Sequence, residues 1–131
     1  MTSIQIVIKN FKNKTILVVE DEDFSYLFIY SALIDYKVNV IRAKNGREAV
    51  EICQENPKID LVLMDIQLPE MNGWDATIQI LKFNENLPII AQTAYAMNKQ
   101  RDRCFEAGCI DYISKPYDNV ELIKLVNQHI H

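Results

Sequence analysis

Five short apolar runs, each followed by a longer stretch of helical periodicity, constrain this chain more than any other feature. The runs are TILVVED (15–21), VNVIRA (38–43), IDLVLMD (59–65), PIIAQTA (88–94) and IDYISKP (110–116). They are strand-length and rich in β-branched residues, and the second alternates apolar with polar as a half-buried strand should. Helical patterns follow at 23–35, 46–56, 73–84, 97–107 and 118–130. Gly108 stands where a left-handed C-cap belongs, and Asp118 with Glu121 resembles a capping box. Asn45-Gly46 and Asn72-Gly73 each precede helical periodicity, so they mark the start of helices rather than hairpins. Strict β-then-α alternation predicts a parallel sheet covered by helices on both faces, which is why its strands are nearly continuously apolar. Residues 1–14 fall outside the scheme as an added strand or a linker, of which KNFKNK favours linker, so the domain is expected over 15–131.

The polar ends of these runs carry the chemistry. Leu61 to Met64 stop abruptly on Asp65; the first run stops on Glu20 and Asp21, the fourth at Thr93 and the fifth at Lys115. In a parallel sheet all the C-terminal ends lie on one side, where open α/β sheets bind their ligands. Residues remote in sequence therefore converge on one crevice. Carboxylates about 4 Å apart repel by on the order of 4 kcal/mol at an effective dielectric of 20, so such a cluster calls for a cation. Oxygen ligands alone favour Mg²⁺, which often bridges carboxylate and phosphate. A lysine and a hydroxyl beside them suit phosphoryl transfer to an aspartate. Each residue alone is an ordinary turn, cap or surface residue; four such strand ends together are not.

Composition removes several alternatives. The 131-residue length suits one domain, and no run of eighteen apolar residues exists that would span a membrane. The N-terminus lacks the pattern of a signal peptide. A net charge of −4 without a basic stripe argues against nucleic acid as a direct partner. Cys53, Cys104 and Cys109 have no CxxC spacing and read as buried thiols of a reducing compartment. His129 and His131, the only histidines, read as a frayed end or the edge of a tag rather than as ligands.

ILVVEDE, LVLMDIQLPEMNG, PIIAQTAYA and DYISKPY together resemble the receiver domain of two-component response regulators, over roughly residues 15–130. The resemblance implies a doubly wound (βα)5 flavodoxin-like fold with strand order 2-1-3-4-5. It implies Asp65 as phosphoacceptor, with Mg²⁺ held by Asp65, Asp21 and the Gln67 backbone carbonyl, and by Glu20 through water. Thr93 would be the switch hydroxyl, Lys115 the phosphate-binding lysine and Tyr112 the aromatic switch. Pro116 would follow a cis peptide bond. Ala94 is small, as the family requires beside the phosphate, and Tyr117 in place of the more frequent Phe is expected to be harmless. The implied partner is a histidine kinase or histidine phosphotransfer domain. PIIAQTAYAMN and AGCIDYISKPY look most like receivers at the C-termini of hybrid histidine kinases, which would make the chain a cytoplasmic domain, free or within a membrane-anchored kinase, with no membrane contact of its own.

Other classes fit less well. A haloacid-dehalogenase-like phosphatase needs a second Asp two residues after its nucleophile, and Gln67 cannot act as acid or base there. Any dephosphorylation should be slow and confined to the chain's own phosphoaspartate. A receiver used only for docking would lack Asp65, Asp21 or Lys115, which are all present. Neither G-x-x-x-x-G-K-[ST] nor G-x-G-x-x-G occurs, against a nucleotide enzyme.

Overall fold

A computed structural model describes residues 11–94 and 98–131. In chain order the elements are β1 (Thr15–Val19), α1 (Asp23–Ile34), β2 (Asn39–Ala43), α2 (Gly46–Glu55), β3 (Leu61–Asp65), α3 (Gly73–Phe83), β4 (Ile89–Thr93), α4 (Asn98–Ala107), β5 (Asp111–Ser114) and α5 (Asn119–His129). The strands form one parallel sheet in the order β2-β1-β3-β4-β5, as expected. The apolar runs outlast the strands slightly: Glu20 and Asp21 lie just beyond β1, and Lys115 just beyond β5. Glu20 and Lys115 still donate one backbone N–H each to the neighbouring strand, to Ala43 O and Thr93 O, so their side chains are held at the sheet's C-terminal edge. Met97, expected to open α4, lies outside the described residues.

Side chains alternate between two cores, one on each face of the sheet. Leu17, Val62, Met64 and Ala91 pack with Ile80 of α3 and Cys104 of α4 on one face. Ile16, Val18, Leu63 and Ile90 pack with Leu33 of α1 and Leu122 of α5 on the other. The central strands β3 and β4 are buried at every position, which accounts for the lack of alternation in their sequences. Asn45, Asn72 and Asp118 cap α2, α3 and α5 through bonds to Glu48 N, Asp75 N and Glu121 N. Gly108, at φ +112°, ends α4 with its N–H on Phe105 O, while the Cys109 N–H reaches back to Cys104 O.

Two expectations need correction. His129 is not frayed: it lies in α5, and its Nε2 is 2.8 Å from Asp111 Oδ2 at the start of β5. The stretch assigned to linker includes Phe11, which is fully buried against Tyr36, their ring centroids 5.2 Å apart. An aromatic ring gains too much from burial to stay in a solvated tether. The remainder of that stretch up to residue 10 lies outside the described residues. The three cysteines are buried and unbridged, and burial pushes the Cys53 and Cys109 thiols up to about 12, which leaves them inert.

Candidate phosphoacceptor site

β3 delivers Asp65 to the C-terminal edge between β1 and β4. The turn that follows holds the carboxylate in place: Gln67 N–H donates to Asp65 Oδ1 at 3.0 Å. Gly73 N–H then donates to Ile66 O at 3.0 Å, folding the start of α3 back onto the strand end. That approach requires glycine. A Cβ on residue 73 would lie 2.3 Å from Asp65 O and 2.9 Å from Ile66 Cα, both backbone atoms.

β1 delivers Glu20 and Asp21 to the same place. Glu20, Asp21 and Asp65 each bring a carboxylate oxygen within 4.8 Å of the others. Glu20 and Asp65 are buried, whereas Asp21 is exposed. Lys115 reaches in from the end of β5, with Nζ 2.9 Å from Glu20 Oε1 and 3.0 Å from Asp65 Oδ2. Glu20 Oε2 also accepts from Glu22 N–H at 3.2 Å. Burial is the main reason the Glu20 carboxyl is pushed up to about 7; the Lys115 hydrogen bond opposes this and the Asp65 charge reinforces it. Burial works to lower the Lys115 ammonium, but its bonds to Glu20 and Asp65 outweigh that and raise it, so it stays charged.

This donor set fits a divalent cation. It is all oxygen, it carries more negative charge than one lysine balances, and one of its acids faces solvent. Glu20, Asp21 and Asp65 are the side chains that would hold Mg²⁺.

The remaining expected residues lie around this cluster. Thr93 ends β4, is buried, and accepts Lys115 N–H on its backbone oxygen at 2.8 Å. The Lys115–Pro116 peptide bond is cis. Tyr112 is farther along β5, opposite Ala91 in register, where its half-buried ring meets Phe105 of α4 edge-on at 6.1 Å. Ala94, next to Thr93, is exposed.

Three features escaped the sequence reading. The Tyr117 hydroxyl donates to Oε1 of the buried Gln92 at 2.6 Å, so the half-buried tyrosine satisfies a buried acceptor and is not merely a tolerated Phe. Burial, with Glu20 and Asp65 nearby, raises that phenol well above its ordinary value. Gly73 was legible as a helix start but not as the residue that packs on Asp65. Arg42, an unremarked polar position in the second strand, places Nε 3.1 Å from the Glu20 carbonyl oxygen. Only the Gln92–Tyr117 pair had a signal in sequence, namely a glutamine inside an otherwise apolar central strand.

The response regulator receiver domain family model matches residues 16–127. The polar-differentiation response regulator DivK of Brucella anthropi is 34% identical over 119 residues, covering 89% of this chain and 96% of DivK. Among solved structures, the chain is similar to the receiver domain of sensor histidine kinase PA1611 from Pseudomonas aeruginosa, which has a magnesium ion in its active site cleft. That match has 33% identity and a TM-score of 0.81, over 88% of this chain and 96% of that one. It is also similar to the Saccharomyces cerevisiae receiver domain of Ssk1, crystallised with the histidine phosphotransfer protein Ypd1. There the identity is 31% and the TM-score 0.85, over 92% of this chain and 91% of the other. The chain belongs to the response regulator receiver family and is a receiver domain of two-component and phosphorelay signalling.

Proposed function

We propose that Asp65 accepts a phosphoryl group from a phosphohistidine partner, with Mg²⁺ held by Asp21, Asp65 and the Gln67 backbone carbonyl, and by Glu20 through water. The observation that carries this is Lys115, whose ammonium already bridges Asp65 and Glu20 at the open end of the sheet. An Asp65 oxygen attacks phosphorus, the P–N bond breaks, and its electron pair returns to the histidine ring. Mg²⁺ supplies charge neutralisation for the transferring oxygens. Lys115 can then exchange its carboxylate contact for a phosphate oxygen. Thr93, at the next strand end, hydrogen-bonds another oxygen, and Tyr112 follows its movement, so that the α4–β5–α5 face changes shape.

The likeness to the PA1611 receiver supports the metal, and the Ypd1 co-crystal of the Ssk1 receiver supports a phosphotransfer protein as partner. Beside the site, Phe24, Ser25 and Phe28 of α1 and Lys115, Pro116 and Tyr117 line a depression of about 440 Å³. Phe24 is 81% exposed at its rim, with Leu27 exposed one turn on. Such an apolar rim suits a protein carrying the phosphohistidine better than a small donor.

No acid replaces Gln67, so the only expected turnover is slow loss of the chain's own phosphoryl group. We read residues 1–14 as an N-terminal extension or linker to the receiver domain, and the chain as the C-terminal receiver of a hybrid kinase working in the cytoplasm. Among the described residues no helix is long and apolar enough to cross a membrane. The deciding experiment is phosphorylation by acetyl phosphate and Mg²⁺, borohydride trapping and peptide mapping. Label on Asp65, lost in Asp65→Asn, is expected; label on a Ser, Thr or His overturns the assignment.

A further inference from the structure

Both backbone polar groups of Glu20 are bonded to β2. Its N–H donates to Ala43 O at 2.9 Å, continuing the ladder, and its carbonyl oxygen accepts from Arg42 Nε at 3.1 Å. That oxygen belongs to the peptide unit joining Glu20 to Asp21, two of the three clustered acids. The ψ of Glu20 and the φ of Asp21, which flank this unit, set the direction of one acid's Cα–Cβ bond relative to the other's, so an uncompensated change in either turns the two carboxylates apart. We infer that Arg42 is a positioning residue for the cation site, orienting the Glu20–Asp21 peptide so that both carboxylates face Asp65. The inference rests on the reading of the cluster as the Mg²⁺ site.

The rest of the Arg42 side chain is braced for this task. It pairs in register with Val18 of β1, and its guanidinium lies over the Tyr26 ring of α1, 4.4 Å from the centroid. Nη2 is buried 2.9 Å from Asp23 Oδ1, an ion contact whose angles do not make it a hydrogen bond. The Asp23 side chain is 73% exposed, so water screens that pair. The directional contact is the one to the Glu20 carbonyl. A planar guanidinium fixed by stacking can aim its Nε–H there; a flexible ammonium cannot hold the same direction.

Supporting groups of this kind typically change metal affinity by roughly 10–100-fold when removed. The test is an amide NMR titration of the full chain with MgCl₂, following Asp21 and Gln67, on the parent, Arg42→Met, Arg42→Lys and Asp23→Asn. The parent is expected to bind. Arg42→Met and Arg42→Lys are expected to raise Kd by about tenfold. Asp23→Asn should stay within about twofold, because the screened pair contributes little. Before any Mg²⁺ is added, the Glu20 carbonyl carbon and Asp21 amide nitrogen resonances should already have moved in both Arg42 variants. A purely stabilising side chain would not move those two selectively. A parent that does not bind Mg²⁺ overturns the metal reading and this inference with it. Parent-like affinity in Arg42→Met overturns the inference alone. Full rescue by Arg42→Lys, which also serves if Arg42→Met does not fold, would assign the effect to charge and refute positioning. A loss in Asp23→Asn equal to that in Arg42→Met would assign it to the α1 ion pair instead.

Discussion

Protonation of Glu20 should give the metal-free protein an inverted stability profile on the acid side of neutrality. The carboxyl is 1% exposed and moves from an ordinary 4.5 to about 7 on folding. At about 1.4 kcal/mol per tenfold, that difference amounts to on the order of 3 kcal/mol. Below its unfolded value the residue is protonated in both states, and its contribution is fully present. As pH rises toward 7, the unfolded chain releases the proton while the folded chain keeps it. The unfolded state then binds fewer protons, so stability falls with pH across this window and levels off above it. Lys115, raised overall, loses its contribution only in the alkaline range and does not mask the effect. Urea unfolding, read from Trp74 fluorescence in chelator, should show the parent losing about 3 kcal/mol relative to Glu20→Gln between about pH 4.5 and 7. Glu20→Gln removes the titration while keeping a hydrogen-bonding side chain. Saturating Mg²⁺ should flatten the parent's slope, since a bound cation holds the carboxylate ionised. Parallel curves for parent and Glu20→Gln in chelator would refute the reasoning.

Gly73→Ala sets a Cβ against the Asp65 carbonyl, and should cost about 1–3 kcal/mol in urea unfolding and slow acyl phosphate formation on Asp65. Tyr117→Phe leaves buried Gln92 Oε1 without its donor, and should destabilise by about 1–3 kcal/mol in the same assay while phosphorylation of Asp65 persists. Thr93→Ala should permit phosphorylation yet uncouple it from the α4–β5–α5 face; beryllofluoride-induced amide shifts there that equal the parent's would contradict the coupling.

How much was legible in the sequence depended on how local the cause was. The alternation of apolar runs and helical periods specified the parallel sheet, because a strand buried on both faces is apolar at nearly every position before its C-terminal end and its crossover must return along the same side. The acids, the lysine and the hydroxyl were visible as polar residues at apolar strand ends. The contacts across the fold that give other residues their roles could not be read from their neighbours in sequence. Gly73 is constrained by a strand end eight positions earlier, Tyr117 by Gln92 of β4, and Arg42 by the carbonyl of Glu20 just beyond β1. His129 looked like a loose end because nothing nearby in sequence holds it; its partner, Asp111, comes from the opposite end of β5. Phe11 likewise sits in a polar stretch and is secured by Tyr36 beyond α1. Periodicity encodes which face of an element is buried, and so the sequence by itself determined the architecture and the edge where the chemistry gathers. The hydrogen bonds and close approaches that tune that edge join atoms brought together only when the chain closes, and tertiary structure alone decided them.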